Sequence, residues 1–151
     1  MAFEVERKWL VQALPDQVLA VAAQEIEQGY LTIGEGGSET RVRRREGHCT
    51  LTVKSGAGMV RGEFEIAITA EQFEALWPAT EGRRIQKSRR AVPEEGGVTI
   101  EVDVYAGANA GLIVAEVEFD DPWGAEAFIP PYWFGLEVTD DESYKNHRLA
   151  R

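Results

Sequence analysis

Phe3-Glu4-Val5-Glu6-Arg7-Lys8-Trp9 places Glu4, Glu6 and Lys8 in one phase of a two-residue period, interleaved with apolar residues. Successive side chains of a β-strand point to opposite faces, so this stretch predicts a strand with a charged face and an apolar face. The pattern returns at Arg41-Val42-Arg43-Arg44-Arg45, Leu51-Thr52-Val53-Lys54, Glu63-Phe64-Glu65-Ile66 and Lys87 with Arg89. It recurs in Val98 to Tyr105, which carries Glu101 and Asp103, and in Glu116-Val117-Glu118-Phe119. Gln24 to Ile33 alternates poorly. It reads as one more strand, with Gln28 and Tyr30 on one face and Leu31 and Ile33 on the other.

The punctuation between these runs is glycine-rich: Gly34, Gly36 and Gly37, then Glu46-Gly47-His48, Ser55-Gly56-Ala57-Gly58 and Glu94-Glu95-Gly96-Gly97. Short links of this kind predict antiparallel hairpins. Helices are few. Thr69-Ala70-Glu71-Gln72 reads as a capping box, with Phe73, Leu76 and Trp77 on one helical face and Pro78 as the stop. Shorter helices are expected from Pro15 to Ala22 and from Asp140 or Asp141 through Lys145, and Ile129 to Phe134 reads as a packed loop. The fold class is therefore α+β, mainly β, in a single domain spanning 1–151.

With 44% apolar and 28% charged residues, the chain is of globular composition. A net charge of −10 argues against general nucleic-acid binding, which rests on basic surface. The N-terminal stretch carries acids where a signal peptide needs an apolar run, and no apolar run approaches a membrane span. The expected location is the cytoplasm, with no membrane partner. A lone Cys49 excludes an internal disulfide and a cysteine metal cluster. His48 and His147 lack partners at metal-ligand spacing and read as surface residues, and Trp9, Trp77, Trp123 and Trp133 as core or loop packing. Gly34-Glu35-Gly36-Gly37 lacks the lysine and the following helix of a phosphate loop.

The charged phase holds same-sign pairs two residues apart: Glu4/Glu6, Arg41/Arg43, Glu63/Glu65, Lys87/Arg89, Glu101/Asp103 and Glu116/Glu118. A merely solvated face mixes polar types and pairs opposite signs across strands. Like charges held close destabilise the fold unless something bound offsets them. Such a sheet closes with its charge either outward or inward. Periodicity leaves both open, and the same-sign pairs favour the inward arrangement. Acid pairs suit hard divalent cations and basic pairs suit phosphate. A site rich in both calls for a polyphosphate carrying Mg²⁺ or Mn²⁺. A lysine among cations titrates low and serves as a base, which makes Lys87, beside Arg89, a candidate to activate water with Tyr30 as its partner; the alternative is that Lys87 only binds phosphate and Tyr30 packs.

Glu4-Val5-Glu6-Arg7-Lys8 resembles the Glu-x-Glu-x-Lys signature of the CYTH family, the triphosphate tunnel metalloenzymes. The resemblance continues in order through Arg41-Val42-Arg43, Leu51-Thr52-Val53-Lys54, Glu63-Phe64-Glu65, Lys87-Ser88-Arg89, Asp103-Val104-Tyr105, Ala115-Glu116-Val117-Glu118-Phe119 and the tail from Glu137 to Asn146. It implies a closed antiparallel barrel of about eight strands forming a charged tunnel. It also implies that Glu4, Glu6, Glu116 and Glu118 hold the divalent metal. Asp103 would assist a second ion, and Glu63 and Glu65 would bind through water. Lys8, Arg41, Arg43, Lys54, Lys87 and Arg89 would hold phosphates, while Arg45 and Glu101 lie outside the motif. The compact form is most similar to the inorganic triphosphatases, which implies inorganic triphosphate as substrate and a homodimer as assembly. Competing readings are an adenylate cyclase or thiamine triphosphatase of the same fold, or a non-catalytic module that binds polyphosphate or nucleotide.

Overall fold

The computed structural model describes residues 5–55 and 62–151. Among the described residues there are eight strands: β1 (Val5–Leu10), β2 (Gln24–Ile33), β3 (Glu39–Arg45), β4 (His48–Ser55), β5 (Gly62–Ile68), β6 (Arg84–Pro93), β7 (Thr99–Tyr105) and β8 (Ile113–Phe119). The α-helices are short: α1 (Asp16–Leu19), α2 (Ala70–Leu76), α3 (Pro122–Ala127) and α4 (Asn146–Leu149). The sheet order is β1-β8-β7-β6-β2-β3-β4-β5. None of the described helices is long and apolar enough to cross a membrane. The chain is thus mainly β, as the alternation predicts, and it divides into two compact units.

One unit holds Glu25–Gln86 and Glu142–Arg151. Here β2, β3, β4 and β5 pair antiparallel in sequence order. The β3–β4 hairpin pairs Arg45 with His48 across Glu46-Gly47. Both turn residues have positive φ, 45° and 81°, as a type I′ turn requires. Val42, Cys49, Leu51 and Ile68 lie on the apolar face under Phe73, Leu76 and Trp77 of the α2 region. The capping box that starts α2 is complete: the Gln72 N–H donates to Thr69 Oγ1 at 3.0 Å and the Thr69 N–H donates to Gln72 Oε1 at 2.8 Å. On β2, Gly29 passes so close to the fully buried Thr80 that a Cβ there would sit 2.5 Å from its side chain.

Two expectations are corrected in this unit. The β2–β3 register shifts between Tyr30 and Thr32, so Ile33 stands opposite Glu39, in the phase of Arg41 and not on the apolar face with Leu31. One inserted residue moves everything beyond it to the other face. The C-terminal helix does not run through Lys145. A 3₁₀ turn at Glu142–Tyr144 is followed by Lys145 in extended conformation (φ −70°, ψ 141°), which restarts the chain as α4.

The other unit holds residues 5–24 and 87–141. Here β1 pairs with β8, β8 with β7 and β7 with β6, all antiparallel. Trp9, Val18, Ile100, Val102, Ala115, Val117 and Phe119 form its buried core, with Phe128, Trp133 and Phe134 packed against it. Trp9 meets the Phe134 ring at 4.8 Å and Phe128 at 5.6 Å. Arg7 grips the covering loop, donating to both oxygens of Glu137 at 3.0 and 2.7 Å and to the carbonyls of Ala125 and Phe128 at 2.8 and 3.1 Å. The loop expectation holds for Trp133 and Phe134, whereas Ile129 and Tyr132 are exposed. Trp123 is a second correction to the packing expectation, because it is 78% exposed. It stands on α3, a short helix capped by Asp121 that buries only Ala125.

Candidate active site

Each unit carries one charged face, and each is built by strand register. In the unit of β1 and β6 to β8, Glu6 stands opposite Glu118 and Lys8 opposite Glu116. Glu116 in turn stands opposite Glu101, and Asp103 stands opposite Arg89. Two of these pairs set acid against acid, which is unfavourable at cross-strand distance. Lys8 Nζ lies 3.7 Å from Glu116 Oε2. Burial alone would push the Glu116 carboxyl up; the Lys8 ammonium, a hydrogen bond shared with Glu6 and the charge of Arg89 outweigh it and hold the group below its ordinary value.

Asp103 is the most enclosed acid of this face, 2% exposed. Arg89 donates to it through Nε at 2.7 Å and Nη2 at 2.9 Å, and Lys87 donates through Nζ at 2.8 Å. Arg89 Nη1 reaches Glu101 Oε2 at 2.6 Å. Burial works against the Asp103 charge, but Lys87 and Arg89 override it and hold the carboxyl well below the usual range. Lys87 also lies 5.5 Å from the centroid of the Tyr105 ring. The expectation placed Lys87 among cations as a base; its Nζ donates to the Asp103 carboxylate, which it shares with Arg89.

In the unit of β2 to β5, Gln28 stands opposite Arg43, Tyr30 opposite Arg41, Arg41 opposite Thr52, and Glu39 opposite Lys54. Lys54 and Thr52 then face Glu63 and Glu65 of β5. Arg43 Nε donates to Gln28 Oε1 at 3.0 Å, and Gln28 Nε2 donates to the Tyr30 hydroxyl at 3.0 Å. Tyr30 is fully buried, and burial is the main cause that pushes its hydroxyl up, so it stays a neutral phenol. The Tyr30 hydroxyl also meets Arg41. Arg41 is buried, and its Nε is the one buried side-chain polar atom among the described residues without a hydrogen-bond partner.

The two units thus gather Glu6, Lys8, Lys87, Arg89, Asp103, Glu116 and Glu118 on one face and Tyr30, Arg41, Arg43, Lys54, Glu63 and Glu65 on another. Glu4 lies outside the described residues. Among the described residues no three acids or histidines converge on one point at ligating distance. Sequence reasoning placed Gln28 on the face of Tyr30 and Thr52 in a charged run but gave neither a site role, and it did not single out Glu39, although all three share the phase of Arg41 and Arg43. His147 is another correction. It is not a surface residue: its Nδ1 lies 3.3 Å from Glu39 Oε2, with side chains only 13% and 7% exposed.

No family model matches the chain. It is 48% identical over 147 residues to an inorganic triphosphatase of Nitrosomonas europaea, covering 97% of this chain and 96% of that protein. It is 36% identical over 153 residues to an inorganic triphosphatase of Acetivibrio thermocellus, covering 100% of this chain and 95% of that one. The crystal structure of an inorganic triphosphatase matches with a TM-score of 0.76 at 45% identity, over 99% of this chain and 95% of its own. Likeness of this extent, joined to the paired acids and bases above, identifies the chain as a member of the inorganic triphosphatase family.

Proposed function

We propose that this protein hydrolyses inorganic triphosphate to pyrophosphate and phosphate with the aid of Mg²⁺ or Mn²⁺. The observation that carries the reading is acid against acid on a folded sheet: Glu6 opposite Glu118 and Glu101 opposite Glu116. Carboxylates so placed call for a proton or a cation between them, and their oxygens are the donors that hard divalent ions take. Glu6, Glu116 and Glu118 would hold the ion, with Glu4 added by the same reading. Once bound, the ion polarises phosphate oxygens and offsets the charge that develops on them.

The basic residues supply the other half. The buried, unpartnered Nε of Arg41 is a donor waiting for an acceptor, which a phosphate oxygen would supply. Arg43 and Tyr30 are held in place by Gln28, so this part of the site is preorganised. Lys8, Lys54, Lys87 and Arg89 add point and forked charge for the remaining oxygens. Glu63 and Glu65 would reach the ion only through water. A water molecule attacks the terminal phosphorus in line, its oxygen forms the new bond, and the bridging oxygen leaves with pyrophosphate. The proton ends on product or solvent. The closed, charge-lined barrel, the cytoplasmic location and a homodimer belong to this same reading.

Phosphate release from inorganic triphosphate, ATP and thiamine triphosphate tests it, with Mg²⁺, with EDTA, and in Glu6→Gln and Glu116→Gln variants. Release from inorganic triphosphate that is lost with EDTA and in both variants is expected. Cyclic AMP formed from ATP would instead mark a cyclase, and tight binding without turnover a binding module.

A further inference from the structure

We propose that Asp103 is a positioning residue for the Lys87–Arg89 cation pair and leaves the divalent ion to the Glu6, Glu116 and Glu118 group. The inference rests on the triphosphatase reading above. It departs from the expectation that Asp103 assists a second ion.

The geometry is that of an orienting carboxylate. Asp103 stands on β7 directly opposite Arg89 on β6, and Lys87 lies two residues away in the same phase. Both carboxylate oxygens are engaged: Oδ1 by Arg89 Nε, and Oδ2 by Arg89 Nη2 and Lys87 Nζ. Side-chain exposure is 3% for Asp103, 0% for Lys87 and 9% for Arg89. A divalent ion on Asp103 would have to approach an ammonium and a guanidinium already at hydrogen-bond distance, with little water to screen them. The acids that face acids are Glu6, Glu101, Glu116 and Glu118, and neither Lys87 nor Arg89 takes both oxygens of any of them as they do of Asp103.

What Asp103 supplies is order and partial neutralisation. Lysine and arginine side chains lose rotamer freedom when fixed. Asp103 fixes both before any phosphate arrives, so binding need not order them. It also lets two cations share a nearly dry position, with Glu101 completing the Arg89 fork. Lys87 then meets the substrate as a held cation directed at a phosphate oxygen.

The test separates metal from phosphate. Mn²⁺ affinity is measured on the substrate-free protein by electron paramagnetic resonance, and KM and kcat for inorganic triphosphate are measured at saturating metal. For Asp103→Asn, Mn²⁺ affinity is expected to stay within about twofold of wild type while KM rises about tenfold or more, the worth of one lost charge-assisted contact. A tenfold or greater loss of Mn²⁺ affinity with KM unchanged would make Asp103 a metal ligand and overturn the proposal, as would parameters all equal to wild type. If Asp103→Asn does not fold, the quadruple variant Lys87→Met, Arg89→Met, Asp103→Leu, Glu101→Gln removes the ion-paired cluster together with the Glu101 charge that Arg89 holds, and carries the metal measurement. Retained Mn²⁺ affinity in it supports the proposal, and lost affinity overturns it. A wild-type protein that binds Mn²⁺ but does not turn over triphosphate would sink the triphosphatase reading, while the Mn²⁺ comparison would still decide Asp103.

Discussion

His147 Nδ1 lies 3.3 Å from Glu39 Oε2, which ties the C-terminal segment to the strand that carries Arg41 and Arg43. Burial, with Arg148 and Lys145 nearby, lowers the imidazole below its ordinary value although Glu39 pulls the other way. A folded state that disfavours protonation loses stability as pH falls through the histidine range, and keeps it above. Thermal melts of wild type should therefore drop in Tm below about pH 6.5. In His147→Gln that part of the slope should vanish. An unchanged slope would remove the histidine from the account.

Arg41→Gln should trade activity for stability. The unpartnered Nε is a buried cost in the free protein, so Tm should hold or rise. The same change should lower kcat/KM for inorganic triphosphate by about 100-fold, as expected when a forked phosphate contact is lost. A fall in both quantities would mean that Arg41 is structural.

Lys87→Ala and Arg89→Ala discriminate charge from proton transfer. The ion pair with Asp103 makes Lys87 a held cation, so the two variants should lose comparable turnover. A much greater loss in Lys87→Ala than in Arg89→Ala would restore the base role to Lys87.

Gly29→Ala should destabilise by about 1–3 kcal/mol through overpacking, because the new methyl meets Thr80 Cβ and Oγ1 at 2.5 Å. Adding Thr80→Ala should not rescue it, since the Thr80 Cβ is itself one of the clashing atoms. Urea unfolding of the single and double variants checks both statements.

Arg7→Ala should cost more stability than Glu137→Gln. The ion pair between them is largely exposed on the Glu137 side and contributes little. The carbonyls of Ala125 and Phe128 lose partly buried donors, a cost of about 1–3 kcal/mol. Equal losses in denaturant titrations would shift the weight back to the ion pair.

The charged faces were legible because parity is local. Glu6 with Lys8, or Arg41 with Arg43, share a face in any strand, and the register only adds which strand lies beside them. The capping box at Thr69 was legible for the same reason, being complete within four residues. What stayed hidden depends on partners far apart in sequence. Nothing around Asp103 announces that Lys87 and Arg89 take its oxygens, and nothing near His147 announces Glu39. Trp123 misled because aromatic rings are usually buried, whereas α3 turns only Ala125 inward and leaves Trp123 outside. Ile33 misled because alternation was carried through a point where the register shifts.

That shift between Tyr30 and Thr32 also bears on which changes of chain length the fold can absorb. Leu31 is the residue without a counterpart on β3, so its deletion leaves Ile33 opposite Glu39 and Tyr30 opposite Arg41. A deletion inside β3 has no such slack: it would swing either Arg41 and Arg43 or their successors through the sheet. Gaps in alignments of related triphosphatases should therefore be tolerated at position 31 and be rare from 39 to 45.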